Sequence, residues 1–225
     1  EVVRTMSDLA RFCLQTALPV ACASLQQHGQ PIGDESGSEQ ALIVIGMGKL
    51  GGNELNVSSD IDLIFVYPED GQTNGARPIS NHEFFCQVGK RLIALIHDIT
   101  PEGQVFRVDM RLRPYGDAGP LAVSFNALEN YLLTQGREWE RYAWIKARPL
   151  TGEGEALAQF VRPFVYRKYL DYGAYGAMRD LSSQIQREVR RRDLAGNIKL
   201  GQGGIREIEF IAQVFQLIRG GREKS

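Results

Sequence analysis

The amino-acid sequence predicts an α+β fold, with strands and helices together in the first part of the chain and helices alone in the rest. Residues 41–67 hold two apolar runs of strand length on either side of a glycine-rich turn. Residues 80–97 follow with the pattern of a capped helix. From residue 124 onward the apolar residues recur at helical spacing with short connections, which is typical of a helical bundle.

We expect three parts along the chain, namely an N-terminal helix and linker (1–40), a domain that contains the sheet (41–135) and a helical domain (136–225). The expected elements are a helix in 2–27, a loop at 28–40, two strands within 41–67, a helix at 80–97, a strand at 105–112, and helices at 124–134, 137–147, 155–169, 174–192 and 204–219. The helix at 80–97 starts from Ser80 and has Glu83 three residues on, which is the arrangement of a capping box.

Composition and charge limit the class of protein. Hydrophobic residues make up 43% of the 225 residues and charged residues 24%, which is enough apolar material for a core. A net charge of −1 does not favour a nucleic-acid or membrane-surface binder, and no apolar run reaches the ~18 residues of a membrane span. Cys13, Cys22 and Cys86 are widely spaced, so we expect free thiols and a cytoplasmic location. Because the helical pattern is already under way at Glu1, we also expect a piece of a longer protein.

Two aspartates open the second strand of residues 41–67. Side chains alternate between the two faces of a strand, so Asp60 and Asp62 point the same way while Ile61 and Leu63 point into the core. Two neighbouring carboxylates repel each other, and a bound cation relieves that repulsion. Because no His or Cys is near, oxygen ligation favours Mg²⁺ or Mn²⁺ over zinc. The pair therefore predicts a metal-dependent phosphate site.

The glycine turn before these aspartates has two interpretations. Gly46, Gly48 and Gly51 form a G-x-G-x-x-G sequence after an apolar strand, and Glu69 follows at the distance of a ribose-binding acid, as in dinucleotide-binding folds. The chain between the turn and Asp60 is short for the crossover helix that such a fold requires. The other interpretation takes the turn and the aspartates as one motif.

Gly48 and Lys49, a spacer and then Ser59, Asp60 and Asp62 form a pattern that resembles the signature of the DNA polymerase β-like nucleotidyltransferases. In that superfamily the glycine turn holds nucleotide phosphates through backbone N–H groups, and the aspartates hold metal ions. Lys49 stands where the superfamily usually has Ser, so it either contributes charge to a phosphate or faces solvent. The resemblance implies a mixed sheet with flanking helices and a third carboxylate on a neighbouring strand.

The strand predicted at 105–112 supplies a candidate for that third carboxylate. Arg107, Asp109, Arg111 and Arg113 share one face of it. One interpretation is a half-exposed strand with solvated charges. The other, which the D-x-D pair upstream favours, is that Asp109 completes the metal site and that Arg111 and Arg113 bind phosphate oxygens.

Three further segments have two interpretations each. Lys146 is either a phosphate ligand or a surface residue that complements the dipole of its helix. The basic run at 187–192 is either a solvated helix face or a docking surface for an acidic partner. The helix at 204–219 has a polar stripe that begins just after three glycines, and this stripe fits either a phosphate contact at the helix start or an interdomain ion-pair surface. The stripe consists of Arg206, Glu209, Gln213 and Gln216. That helix is expected to bury one apolar stripe, made of Ile205, Ile208, Ile211, Phe215 and Ile218.

Four segments together resemble one family closely, the bifunctional glutamine synthetase adenylyltransferase/adenylyl-removing enzymes of bacteria. They are GMGKLGGNELNVSSDIDLIFVY, RVDMRLRPYGDAGPL, GREWERYAWIKAR and NIKLGQGGIREIEFIAQVFQLIRGGRE. The resemblance runs from about Ala41 to the end, and residues 1–40 match only in general helical character. The last two segments resemble the N-terminal, adenylyl-removing half of these enzymes rather than the C-terminal, adenylylating half.

The family resemblance implies a chemistry and its partners. The adenylyl-removing half controls nitrogen assimilation by removing AMP from a tyrosine of adenylylated glutamine synthetase, with inorganic phosphate consumed and ADP released, and the PII signalling protein regulates it. Asp60, Asp62 and Asp109 would be catalytic and hold Mg²⁺ or Mn²⁺, with two ions expected. The residues implied in nucleotide or phosphate binding are Gly48, Lys49, Gly51, Gly52, Ser59, Arg111, Arg113 and Lys146. The alternatives are the adenylylating half, which transfers AMP from ATP, and a nucleotide-sensing module without turnover.

Overall fold

The computed structural model describes residues 1–166, Ser183, Ile198 and residues 204–219. The chain divides into two compact units, the first of Glu1–Gln135 with Lys146–Ala158 and the second of Gly136–Ile145 with Gln159–Ser225. Among the described residues the helices are α1 (Val2–Ala23), α2 (Gly48–Gly51), α3 (Asn81–His97), α4 (Phe125–Thr134), α5 (Glu138–Ile145), α6 (Glu155–Val165) and α7 (Ile205–Arg219). The strands there are β1 (Pro31–Gly33), β2 (Ile43–Gly46), β3 (Ile61–Tyr67), β4 (Gly71–Thr73), β5 (Val108–Asp109), β6 (Ala122–Ser124) and β7 (Arg148–Pro149).

The main sheet of the first unit is mixed, and β3 lies at its centre. β3 pairs antiparallel with β2 and parallel with both β5 and β6, while β2 also pairs antiparallel with β7. A smaller sheet pairs β1 with β4. These strands with their helices confirm the predicted α+β fold with a mixed sheet. Because β2 and β3 are antiparallel and are joined through the four-residue α2, the turn is not a parallel crossover, and the dinucleotide-binding interpretation is wrong.

The start of β3 separates the core from an open face, as its alternation predicts. Ile61 and Leu63 are buried, whereas Asp60 is exposed and Asp62 is half-buried. Burial on one side fixes the register of the strand, since a shift by one residue would place the carboxylates in the core.

α3 packs against the sheet and begins at the predicted cap. Ser80 Oγ accepts a hydrogen bond from the backbone N–H of Glu83 at 3.1 Å. Phe85 stacks on Tyr67 of β3 with ring centroids 4.8 Å apart. The buried side chains of α3 that join the core are Phe84, Phe85, Val88, Leu92 and Ile96.

α1 packs against α3 at the edge of the same core. Its Ser7 Oγ accepts a hydrogen bond from the backbone N–H of Leu55 at 3.1 Å, which ties the helix to the segment that follows α2. Even α1, with 22 residues, is not apolar enough to cross a membrane, and neither is any other helix in the described part of the chain.

The strand predicted at 105–112 is wrong in length, because pairing covers only Val108–Asp109. The backbone N–H of Arg111 donates to the side chain of Asp109 at 2.9 Å, and that of Arg113 donates to the carbonyl oxygen of Met110 at 3.2 Å. A short polar side chain that captures a nearby backbone N–H competes with ladder pairing. The chain therefore leaves the sheet directly after Asp109.

The apolar stripe predicted for the last helix is also wrong for the side chains that the structure describes. Ile205, Ile208, Ile211 and Phe215 are all more than half exposed. α7 instead uses a stripe shifted around the helix, with Leu217 buried and Phe210 stacked on Tyr142 of α5 at 5.2 Å between ring centroids. The helix predicted at 174–192 and the basic run at 187–192 lie outside the described residues.

Candidate active site

Three carboxylates lie together at the start of β3. The parallel pairing of β3 with β5 places Asp62 opposite Asp109, on strands about 5 Å apart. Asp60 immediately precedes β3 and shares the open face of Asp62. The structure therefore brings together the three carboxylates that the sequence singled out, although the strand that carries Asp109 is much shorter than expected.

Asp62 is the least compensated of these carboxylates. Burial raises its pKa, and the negative charges of Asp109 and Asp60 raise it further. The positive charges of Arg111 and Lys49 lower it by smaller amounts. In the described part of the chain no hydrogen bond or ion pair involves its side chain, so Asp62 presents free carboxylate oxygens.

Two arginines neutralise the other carboxylates. Arg107 forms an ion pair with Asp60 and also donates to the carbonyl oxygen of Ser58. Arg111 donates from Nε to both oxygens of Asp109, at 3.0 and 2.9 Å. The hydrogen bonds from Arg111 hold the pKa of Asp109 below its usual range.

The glycine turn lies against Asp62. Gly48 has a φ of +51°, and a Cβ atom there would come within 2.7 Å of Asp62 Oδ2. The backbone N–H of Met47 donates to the carbonyl oxygen of Asp62 at 2.9 Å, which fixes the start of the turn. The first amide groups of α2 have no earlier carbonyl within the helix to accept from them. The turn thus presents donors close to a free carboxylate.

Lys49 is part of this site. It is half-buried, and its Nζ donates to Ser59 Oγ at 3.1 Å. Its charge lowers the pKa of Asp62, which means that the ammonium acts on the carboxylates. Lys49 therefore does not simply face solvent, and its contribution of charge to a phosphate stays a prediction.

Lys146 lies beside α2. Its Nζ forms an ion pair with Glu54 at 2.8 Å, and its carbonyl oxygen lies 1.9 Å from the position of a Cβ atom on Gly51. The backbone around Lys146 therefore packs directly on the glycine turn. Gly52 is less confined, since a Cβ there would meet the side-chain Cδ of Lys146 at 3.3 Å.

Arg113 makes its hydrogen bonds within the loop that follows β5. Its guanidinium donates to the carbonyl oxygens of Met110 at 2.8 Å and Gly119 at 3.4 Å, and it pairs with Asp117 at 3.5 Å. Arg107 is the residue that sequence reasoning missed as a partner of the carboxylates. Its position two residues before Asp109, on the same face, was the available signal.

The donor chemistry of the site suits a hard divalent cation, because three carboxylates converge and Asp62 has free oxygens. As the side chains stand in residues 1–166 and 204–219, no group of three His, Cys, Asp or Glu is arranged to hold a metal ion. In this arrangement Asp60 is paired with Arg107 and Asp109 with Arg111. The carboxylate oxygens have the chemistry of cation ligands, and a cation there would have to displace the two arginines.

Sequence comparisons identify the family. Residues 1–163 match the family model described as glutamate-ammonia ligase adenylyltransferase, which is more than half of the chain. The chain belongs to the glutamate-ammonia ligase adenylyltransferase family. Residues 179–224 match a second model, described as GlnD PII-uridylyltransferase.

Similar curated proteins share one name, bifunctional glutamine synthetase adenylyltransferase/adenylyl-removing enzyme. The chain is 74% identical to the protein of Chromobacterium violaceum, covering 100% of this chain and 25% of that protein. It is 64% identical to the protein of Aromatoleum aromaticum, covering 99% of this chain and 24% of that protein. It is 61% identical to the protein of Neisseria meningitidis serogroup B, covering 100% of this chain and 25% of that protein.

The chain thus spans about a quarter of the length of these curated relatives of the glutamate-ammonia ligase adenylyltransferase family. The family model begins to match at residue 1. The expectation that residues 1–40 share only helical character with the family is therefore wrong, and α1 belongs to the matched region.

Proposed function

We propose that this chain is the adenylyl-removing part of a bifunctional enzyme, which removes AMP from the adenylylated tyrosine of glutamine synthetase and releases it as ADP. The observation that carries the proposal is the register of β3 with β5, which sets Asp62 beside Asp109 and next to Asp60, in a chain of this family. The choice of the removing half rests on the sequence segments around α5 and before α7, which resemble that half.

In the proposed reaction, an oxygen of inorganic phosphate forms a bond to the AMP phosphorus while the bond from that phosphorus to the tyrosine oxygen breaks. The proton of the phosphate passes to the tyrosine, so ADP and an unmodified tyrosine result. Asp60, Asp62 and Asp109 would hold Mg²⁺ or Mn²⁺, with two ions proposed. When bound, the metal stabilises negative charge on the phosphoryl oxygens.

The other residues of the site would bind and orient the two phosphates. Lys49 and the first amide groups of α2 would hold the AMP phosphate next to Asp62, where the turn lies. Arg111, once released from Asp109, would reduce the repulsion between the incoming phosphate and the AMP phosphate, since its planar fork suits oxyanions.

The partners follow from the same proposal. They are adenylylated glutamine synthetase, inorganic phosphate and the nucleotide, in the cytoplasm. The match of residues 179–224 to a PII-uridylyltransferase model supports a relation to the PII signalling protein.

Two assays on one preparation test the proposed function. With adenylylated glutamine synthetase, phosphate and Mg²⁺, we expect release of ADP. With unmodified synthetase and ATP, we expect no incorporation of AMP. AMP incorporation without ADP release would assign the chain to the adenylylating half. Nucleotide binding without either product would instead indicate a sensing module.

Arg107→Gln is expected to raise the affinity for Mn²⁺ by up to about fivefold, because Arg107 competes with a cation for Asp60. The gain is limited since both side chains of this ion pair are about half exposed, and such pairs contribute at most ~1 kcal/mol. Calorimetric titration of the chain with Mn²⁺ measures it. Arg4→Gln, on the exposed side of α1, is the matched control and should leave the affinity unchanged. A lower affinity in Arg107→Gln would show that Arg107 assists the cation.

A further inference from the structure

A cavity that is widely open to solvent lies in the first unit, between one face of α3 and the loop after β5. Its volume is ≈ 640 Å³, which is within the range of about 300–1,000 Å³ typical of small-molecule sites. α3 contributes residues spaced by one helical turn, and the loop contributes the facing wall. The lining residues are His82, Cys86, Lys90, Ile93, Arg113, Gly119, Pro120 and Leu121.

The cavity is separate from the carboxylates. Asp62 lies at the start of β3, whereas His82 Nδ1 lies 3.4 Å from the hydroxyl of Tyr67, at the end of the same strand. The five residue-to-residue steps from Asp62 to Tyr67 correspond to about 16 Å along the strand. A ligand in the cavity and a substrate at the carboxylates would therefore occupy different places.

The polar lining of this cavity is basic. Lys90 and Arg113 carry positive charge, and neither Asp nor Glu lines the cavity. The ring nitrogens of His82 lie 3.4 Å from the Tyr67 hydroxyl and 3.8 Å from Cys86 Sγ. Lys90 makes no hydrogen bond or ion pair with the described residues, so all three N–H groups of its ammonium are available.

Two acidic groups lie beside the lining. Asp117 pairs with Arg113 and is mostly exposed to solvent. Asp70 accepts a hydrogen bond at 2.9 Å from the Tyr67 hydroxyl, next to His82.

Hydrogen bonds and close packing fix the conformation of the loop wall in the absence of a ligand. The side chain of Arg113 is 12% exposed, and it donates to the carbonyl oxygens of Met110 and Gly119. Gly119 packs so closely that a Cβ there would come within 2.0 Å of the carbonyl oxygen of Pro114. Arg113 therefore brings its charge to a fixed position, while Lys90 on the opposite wall is free to move toward a bound group. Preorganised donors lower the cost of binding.

We propose that this cavity binds a small oxyanion, a phosphate or a carboxylate on a short apolar body. Lys90 would form the charge-assisted hydrogen bond to the anion, and Arg113 would contribute its charge from the loop. Ile93, Pro120 and Leu121 would contact the apolar part. The assignment also gives Arg113 a function that does not depend on the carboxylates or on the proposed adenylyl-removing reaction.

Amide NMR spectra of the chain, titrated with sodium phosphate or with sodium succinate at constant ionic strength, test the proposal. Saturable shifts are expected at Lys90, Gly119 and Leu121 with at least one anion, and the anion that produces them identifies the phosphate or carboxylate class. Lys90→Gln is expected to weaken this binding by about tenfold, as expected for loss of a charge-assisted hydrogen bond. Arg91→Gln, the exposed neighbour on α3, is the matched control and should bind within about twofold of the unchanged chain.

Alkylation of Cys86 gives a second readout that needs no change to the basic residues. The experiment uses the Cys13→Ser, Cys22→Ser double variant, in which Cys86 is the remaining cysteine. The bound anion is expected to slow the reaction of the Cys86 thiol with iodoacetamide, and chloride at equal ionic strength is expected to leave that rate unchanged. Absence of local shifts and of protection with both anions would overturn the proposal. So would Lys90→Gln binding as tightly as Arg91→Gln. The assay of ADP release from adenylylated glutamine synthetase tests the proposed function separately, and its result does not depend on anion binding in the cavity.

Discussion

Replacing Gly51 with alanine is expected to lower the melting temperature of the chain by ~6–12 °C, whereas the same change at Gly52 is expected to shift it by at most ~2 °C. A Cβ on Gly51 would lie 1.9 Å from the carbonyl oxygen of Lys146 and 2.5 Å from that of Gly46. Both atoms belong to the backbone, so α2 or the chain at Lys146 has to move. Overpacking of this kind costs about 3 kcal/mol.

Gly52 is the matched control because it adjoins Gly51 and has a negative φ of −78°. A Cβ there would meet Lys146 Cδ at 3.3 Å and Glu54 Cδ at 3.4 Å, and both belong to flexible side chains. Thermal unfolding followed by circular dichroism measures both variants. Equal melting temperatures for Gly51→Ala and Gly52→Ala would mean that the close approach at Lys146 relaxes freely, and that Gly51 has no packing role.

The sequence could predict those parts of the site that depend on local rules. Strand alternation gave the common direction of Asp60 and Asp62, because it needs only the period of two residues. The cap at Ser80 was equally local, since its hydroxyl reaches an amide three residues away. Asp109 was found as the acid on the strand predicted at 105–112, and the structure places it opposite Asp62 although that strand is only two residues long.

Features that depend on contacts between distant segments could not be predicted. The pairing of Arg107 with Asp60 joins side chains 47 residues apart, and the contact of Gly51 with the Lys146 carbonyl joins segments still farther apart. The true length of β5 depends on a competition between Asp109 and the sheet for one backbone N–H, which residue type alone does not decide. Local patterns therefore located the carboxylates, and a tertiary contact determined that Asp60 is paired with Arg107.

Asp62→Asn is expected to reduce ADP release by about a thousandfold or more, because it removes a carboxylate that the proposed metal ions require. The side chains are nearly equal in size, so the fold should be kept. Phosphorolysis of adenylylated glutamine synthetase at saturating phosphate measures the loss. Asp98→Asn, at an exposed carboxylate after α3, is the control and should retain full activity.

The same variant is expected to be more stable than the unchanged chain when metal is absent. Burial and the charges of Asp109 and Asp60 raise the pKa of Asp62, which means that the folded state disfavours its ionised form. Asparagine removes that cost at neutral pH. This gain should appear as a higher melting temperature of Asp62→Asn in metal-free buffer at neutral pH.

The pH dependence separates this electrostatic cause from a packing effect. As the pH falls through the raised pKa of Asp62, the folded state of the unchanged chain takes up a proton and gains stability relative to the variant. Below the ordinary pKa of an aspartate both states are protonated, so the advantage of Asp62→Asn is lost. An advantage that persists at acid pH would indicate packing, and a loss of stability at pH 7 would indicate that Asp62 stabilises the metal-free fold. With added Mn²⁺ at neutral pH, the unchanged chain should become more stable than Asp62→Asn. A cation that binds only the folded state stabilises the chain that retains all three carboxylates.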